Sequence, residues 1–280
     1  MTEVGITTLI IIFVNVLCSY PGFKDHSYLE NYGFDVHRII IKKEYKRLIT
    51  SGFFHVSWLH LVLNMLTLCL FSAGVESQLG PAKFLFIYFA SLAGGNLFSL
   101  FVYRYRGNYS SVGATAAVNG IMFATIALFP GLDISFFGIR FPIPGWFYGF
   151  GFVLFSIYGI NSKRDNIGHE SNLAGALTGL FIGVLMRPAS LANNYLAIFA
   201  LVLPSLFFIY MLIRRPHFLS IENYFSGRHR NNYYLEHIHE SKEVDQKEID
   251  LILEKIHQQG IGSLSKKEKD KLDYYSKIIR

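Results

Sequence analysis

Across the first 213 residues only 22 side chains are Lys, Arg, Asp or Glu, whereas the last 67 residues carry 24. A soluble domain averages about 25% charged residues. A water-facing surface therefore cannot be assembled from the first part of this chain, which must bury its surface in a bilayer and be followed by a charged tail. The distribution excludes a soluble globular enzyme, a disulfide scaffold and a disordered regulator. The net charge of +6 is too small to call for nucleic acid as a partner. Cys18 and Cys69 both fall in apolar runs and read as packing thiols. Gly5 to Tyr20 has no basic stretch before it and no small-residue cleavage site after it, so it reads as a retained helix.

The apolar runs place the spans. They are Gly5 to Tyr20, closed by Pro21; Trp58 to Leu79, closed by Gly80-Pro81; Lys83 to Tyr103; Thr115 to Phe129; Trp146 to Ile160; Ser171 to Met186; and Tyr195 to Ile213. Several fall short of the roughly 20 residues that cross a bilayer, so some helices must be enclosed by their neighbours. The connection from Gly22 to Ser57 is long and aromatic, and is expected to dip into the interface. In the tail, Glu243 to Gln259 has an amphipathic pattern with Ile249, Ile252, Leu253 and Ile256 on one face. Ser265 to Glu268 fits a capping box that opens a second helix through Ile279, which makes a helical hairpin.

Polar residues inside spans are expensive and mark sites. His60 and Asn64 are four apart, on one face of the second span. Both carry donors that suit either an oxyanion or a bridge to another helix. Thr115 opens the short fourth span behind Ser110-Ser111 and Gly113; its hydroxyl suits a nucleophile, or a bond to its own backbone. His169-Glu170-Ser171-Asn172 opens the sixth span, followed by Gly175, Gly179 and Gly183. Glycines at four-residue intervals form a smooth face for close helix packing. The fourth span is the natural partner, which would bring Asn172 near Thr115. Glu76 reads as a structural acceptor for loop amides. No metal-ligand spacing and no cofactor motif is present, and the tail histidines read as surface residues.

With these residues in place the chain resembles the rhomboid family of intramembrane serine proteases. His60-Leu61-Val62-Leu63-Asn64, with the approach from Arg47 through His55, resembles the family's second-helix motif. Ser111 to Val118 aligns with its Gly-x-Ser-Gly segment, and Asn172-Leu173-Ala174-Gly175 with its sixth-helix His-x-x-Gly segment. The resemblance covers about residues 1–188. It implies an all-α polytopic membrane protein with a rhomboid-like six-helix bundle over 1–188; the last apolar run and the charged tail add a seventh transmembrane helix within 189–215 and a soluble helical-hairpin tail over 216–280.

The departures bear on activity. The resemblance puts a Ser nucleophile where this chain has Thr115 and a His base where it has Asn172, while His60 and Asn64 keep the oxyanion-type positions. A hydroxyl nucleophile needs a base within hydrogen-bond reach, and a neutral amide accepts no proton at pH 7. The expectation is a pseudoprotease that binds transmembrane segments of client proteins within the lipid bilayer, with a soluble partner for the tail. The alternative is an active endopeptidase with a shifted pair, Thr115 or Ser111 with His169; otherwise His169 is a solvated loop residue. The expected setting is an integral membrane position in a bacterial inner membrane. Lys and Arg favour the connections that the positive-inside rule would place with the tail in the cytoplasm, against the family's usual N-terminus-inside arrangement.

Overall fold

The computed structural model describes residues 4–25, 27–104, 109–134, 142–162, 168–214, 250–258 and 260–265, together with 268, 269 and 272. Met1–Arg104 with Tyr109–Ile221 forms one compact unit, and the tail from Glu222 belongs to a second.

In the first unit, α1 spans Ile6–Lys24. The long connection holds α2 (Ser27–Tyr32), β1 (Phe34–Asp35), α3 (Val36–Ile40), α4 (Arg47–Thr50) and a 3-10 turn at Ser51–Phe53. Then come α5 (Trp58–Leu79), α6 (Pro81–Tyr103), β2 (Ser110–Ser111), α7 (Thr115–Leu128), β3 (Asp133–Ile134), β4 (Ile143–Pro144) and α8 (Gly145–Ser162). The series ends with α9 (His169–Met186), α10 (Ala189–Asn193) and α11 (Tyr195–Arg214). β1 pairs antiparallel with β2, Phe34 opposite Ser111, and β3 pairs with β4. The protein is an all-α polytopic membrane protein. α1, α5, α6 and the segment Tyr195–Ile213 are each long and apolar enough to cross a bilayer.

Pro21 does not end the first span, contrary to the sequence reading. α1 continues to Lys24 with Pro21 inside it, and the Asp25 N–H closes the end on the Pro21 carbonyl at 2.9 Å. A proline in the last turn loses one bond of the ladder, and the turn tolerates that loss.

α7 is the centre. Every residue from Ala116 to Leu128 is buried. At 1.5 Å per residue its length falls well short of the roughly 30 Å hydrocarbon layer, so protein rather than lipid must satisfy its surroundings. α9 lies against it through small residues on both sides. A Cβ on Gly175 would stand 2.5 Å from the Ala116 carbonyl oxygen. One on Gly179 would collide with the Gly120 backbone, and one on Gly183 would stand 3.2 Å from Ala124 Cβ. Four-residue spacing on each helix thus lets the two backbones touch. α6 completes the trio: Gly120 faces Ser91, and Gly95 faces Ser171 and Ala116.

The connection between α1 and α5 is folded on its own small core of Phe34, Val36 and Ile39. Arg47, 1% exposed, clasps it. Its Nη1 donates to the carbonyls of Glu30 (2.8 Å) and Gly33 (2.7 Å), and its Nε donates to Glu44. Glu76, at the far end of α5, accepts from the Thr7 amide (2.8 Å), the Thr8 amide (3.1 Å) and the Thr8 hydroxyl (2.6 Å). It caps the start of α1, in line with its structural reading.

In the tail unit, residues 250–258 are helical and Gly260, at φ +77°, breaks the helix. A 3-10 turn follows at Ile261–Ser263. Ser265 and Glu268 exchange the two bonds of a capping box: Ser265 N–H donates to Glu268 at 2.6 Å, and Glu268 N–H donates to the Ser265 hydroxyl at 3.4 Å. Lys255 pairs with Glu268 at 2.9 Å and ties the helical stretch to the box. Ile252 is buried but Leu253 is exposed, so the apolar face is narrower than the sequence pattern implied. Ile249 and the ends of both expected tail helices lie outside the described residues.

Candidate functional site

The start of α5 sets one wall of the site. The Ser57 hydroxyl accepts from the His60 N–H at 3.2 Å and caps the helix. One turn on, Asn64 Nδ2 donates to the His60 carbonyl at 3.0 Å. The second wall is the chain entering α7. Gly113 takes φ +136°, and a Cβ there would lie 2.7 Å from the His60 ring, so only glycine lets this loop pass. Its N–H donates to the Ser51 carbonyl at 3.0 Å. The Thr115 hydroxyl, first on α7, then meets His60 Nε2 at 3.0 Å.

Behind this contact sits His55, fully buried. Its Nε2 accepts the Ala114 N–H at 3.4 Å, which leaves Nδ1 to donate to the Ser19 hydroxyl at 2.9 Å. The Ser19 hydroxyl in turn donates to the Phe53 carbonyl at 3.1 Å. Burial, with the His60 ring beside it, holds His55 well below the usual imidazole range. It is a neutral ring in one tautomer, 5.0 Å edge-on to His60.

The third wall is the first turn of α9. Asn172 N–H donates to the Gly168 carbonyl at 2.9 Å, so the helix begins at His169. A small cleft is lined by Thr115 and Ala116 of α7 and by Gly168, Ser171 and Asn172 of the α9 side. Ser51, Asn96, Ser111, Val112 and Gly113 complete it. Thr115 and Asn172 therefore share one cavity. Asn96 braces its floor, donating to the Leu48 carbonyl at 2.7 Å and the Ser51 hydroxyl at 3.1 Å while accepting from Ser171 at 3.2 Å.

His169 is not a solvated loop residue. It is 2% exposed, within the helix, and its ring packs edge-on to Phe155 at 5.4 Å. It is not among the residues that line the cleft beside Thr115. Its neighbour Glu170 is 3% exposed and accepts from Tyr109 and from Ser99, the latter at 2.8 Å. Burial and the Glu170 charge push the Tyr109 phenol well above its usual value, so Tyr109 is the donor. Sequence reasoning gave no role to Asn96, His55 or Glu170. A lone amide in the apolar run of α6, and an acid opening an apolar helix, were the available signals. Among the described residues no group of three or more His, Cys, Asp or Glu could hold a metal ion.

The arrangement defines a class: a polytopic membrane protein with a polar, uncharged cleft buried among helices at the head of a short central helix. The Rhomboid domain family matches residues 42–189, and the chain belongs to the rhomboid family. The tail, residues 236–278, matches a family of unknown function. The chain is 32% identical over 146 residues to RHOMBOID-like protein 12, mitochondrial, of Arabidopsis thaliana, covering 46% of this chain and 43% of that one. It is 28% identical over 155 residues to Rhomboid protein 1, mitochondrial, of Saccharomyces cerevisiae, covering 52% and 44%. It is 31% identical over 137 residues to Rhomboid-like protein 16, chloroplastic, of Arabidopsis thaliana, covering 42% and 42%. The chain thus spans less than half the length of these relatives. Their names point to organelles and lend no support to the bacterial inner membrane expected from the sequence; the integral membrane position stands.

Proposed function

We propose that this chain is a rhomboid-fold pseudoprotease that holds transmembrane segments of client proteins without cutting them. The observation that carries the reading is the pairing of Thr115 and Asn172 in one cleft. At the family's base position stands an amide, which can position a group but takes up no proton. The contact between Thr115 and His60 adds a second fault. The nitrogen that would hold a developing oxyanion is engaged by the threonine hydroxyl itself. Loss of nucleophile or base in a triad enzyme costs on the order of 10⁶ in turnover. For client binding, α8 presents Leu154, Phe155 and Tyr158 outward, and Tyr148 bridges it to Phe71 of α5 with rings 5.4 Å apart. A client helix would lie along this side.

A second reading, an active endopeptidase with a shifted pair, has one observation in its favour: a basic nitrogen does lie within hydrogen-bond distance of Thr115. That nitrogen belongs to His60 rather than His169. It would have to accept the hydroxyl proton and donate to the oxyanion in the same step.

The deciding experiment uses the purified chain in proteoliposomes with a fluorogenic single-span substrate. The pseudoprotease reading expects no cleavage above the Thr115→Ala background, and cleavage on combining Thr115→Ser with Asn172→His. Cleavage by the unmodified chain that disappears in both Thr115→Ala and His60→Asn would establish the second reading instead.

A further inference from the structure

The turn that follows α3 has a charge pattern that the cleft does not explain. Residues 38–46 carry four cations, Arg38, Lys42, Lys43 and Lys46, against one acid, Glu44. That acid is committed inward, to the buried Arg47. The guanidinium of Arg47, with Arg38 and Lys42 nearby, holds the Glu44 carboxyl below its usual value. Lys42, Lys43 and Lys46 are all exposed, and none forms an ion pair with a described residue. Three ammonium groups on a single turn thus have no ion-pair partner among the described residues.

The backbone makes the same point independently. Lys43 lies at φ +57°, and among the described residues it is the only non-glycine in the left-handed region. Glycine would adopt that conformation without strain. Lys43 thus places an ammonium in the middle of a cationic turn at a backbone conformation that costs strain.

Position supplies the partner. The connection carrying the turn leaves α1 beside Tyr20 and Lys24 and returns to α5 at Trp58. Trp58 sits 4.5 Å from Phe23 and 6.4 Å from Tyr20, ring to ring, and Lys24 lies 4.7 Å over Tyr20. Exposed Trp and Tyr at the ends of spans mark the headgroup level of a bilayer. Tyr45, 59% exposed inside the turn, and the exposed Ile49 just after it give the turn its own apolar surface. Cations on a connection whose two ends carry such aromatics meet lipid phosphates first.

We propose that the turn 42–46, together with Arg38, is a binding site for the headgroups of anionic lipids. The lysines supply the charge, Tyr45 and Ile49 enter the interface beneath them, and the Arg47 clasp keeps the turn in shape. None of these residues lines the cleft of Thr115 and Asn172, and the proposal does not depend on whether that cleft cuts or only holds.

The test is native mass spectrometry on the full chain in a neutral detergent. It is titrated with phosphatidylglycerol or with phosphatidylcholine of the same acyl chains, and phosphatidylglycerol-loaded protein is challenged with potassium phosphate. Phosphatidylglycerol should be retained in preference to phosphatidylcholine, and millimolar phosphate should not displace it. At about one factor of five per lysine, Lys42→Gln/Lys43→Gln/Lys46→Gln should weaken phosphatidylglycerol about a hundredfold and leave phosphatidylcholine unchanged. Lys83→Gln, a cation at the start of α6, should change neither. Lys43→Gly relieves the backbone, so it should keep or raise the melting temperature while lowering phosphatidylglycerol retention about fivefold. Equal retention of the two lipids by the unmodified chain overturns the proposal. So does unchanged retention in Lys43→Gly, and so does displacement by phosphate, which would mark a free-anion site.

Discussion

The Thr115 hydroxyl lies 3.0 Å from Nε2 of His60. On the proposed reading that nitrogen is the one that would hold the substrate oxyanion, and the protein's own side chain has reached it. Restoring the base alone should therefore be insufficient. Asn172→His by itself should give no cleavage of a transmembrane reporter, because Thr115 still engages the His60 nitrogen and carries a methyl. Thr115→Ser with Asn172→His should give clear turnover. A gel-based cleavage assay across the two single variants and the double variant reads this directly. Equal activity in Asn172→His and the double variant would show that Thr115 is no obstacle.

The seam between α7 and α9 should be intolerant of one methyl. A Cβ on Gly179 would press on the Gly120 backbone, which cannot move aside as a side chain can. Overpacking of this kind costs about 1–3 kcal/mol or more. Gly179→Ala should lower the thermal midpoint in detergent by several degrees. Gly151→Ala, where a Cβ meets nothing within 4 Å, should leave it unchanged.

The buried His55 predicts an acid-sensitive fold. Its ring is neutral in the native state and held well below the ordinary imidazole range by burial. In the unfolded chain it would take up a proton below about pH 6.5. Between these two values the unfolded state binds the extra proton, so stability rises with pH and is lost as pH falls below about 6.5. Thermal melts from pH 8 to 5 should show that decline. His55→Asn should start less stable and decline less steeply, because the titrating group is gone.

Glu76 should matter through hydrogen bonding rather than chemistry. It caps α1 from another helix by accepting from two backbone amides and one hydroxyl. Glu76→Ala should cost about 1–2 kcal/mol, the usual range for a lost cap, and loosen the start of α1. Amide hydrogen exchange at Thr7 and Thr8 should then rise while exchange across α7 stays slow. Uniform acceleration across the chain would contradict a local capping role.

The spans were legible because hydropathy is read one residue at a time. The start of α5 at Trp58 and the start of α7 at Thr115 fall where the apolar runs put them. The face shared by Gly175, Gly179 and Gly183 was legible for the same reason: spacing on one helix needs no knowledge of its partner. Most of the misses are contacts between separate segments. Whether Pro21 ends α1 depends on the bonds available to the final turn. Whether His169 faces water depends on Phe155, which lies in another helix. The Tyr109–Glu170 pair joins residues in separate parts of the chain, the Arg47 clasp reaches carbonyls of Glu30 and Gly33 in the same connection, and no local pattern announces either. The Thr115–His60 contact belongs to the same group: motif spacing named both residues but could not say that they touch.

The wholly enclosed α7 carries a consequence for how the protein is made. A segment that short and that fully wrapped by protein has no stable resting place among acyl chains on its own. It can be committed to the bilayer only as α5, α6 and α9 close around it. On that argument the helix bearing Thr115 should settle only after α9, which is synthesised later, has emerged.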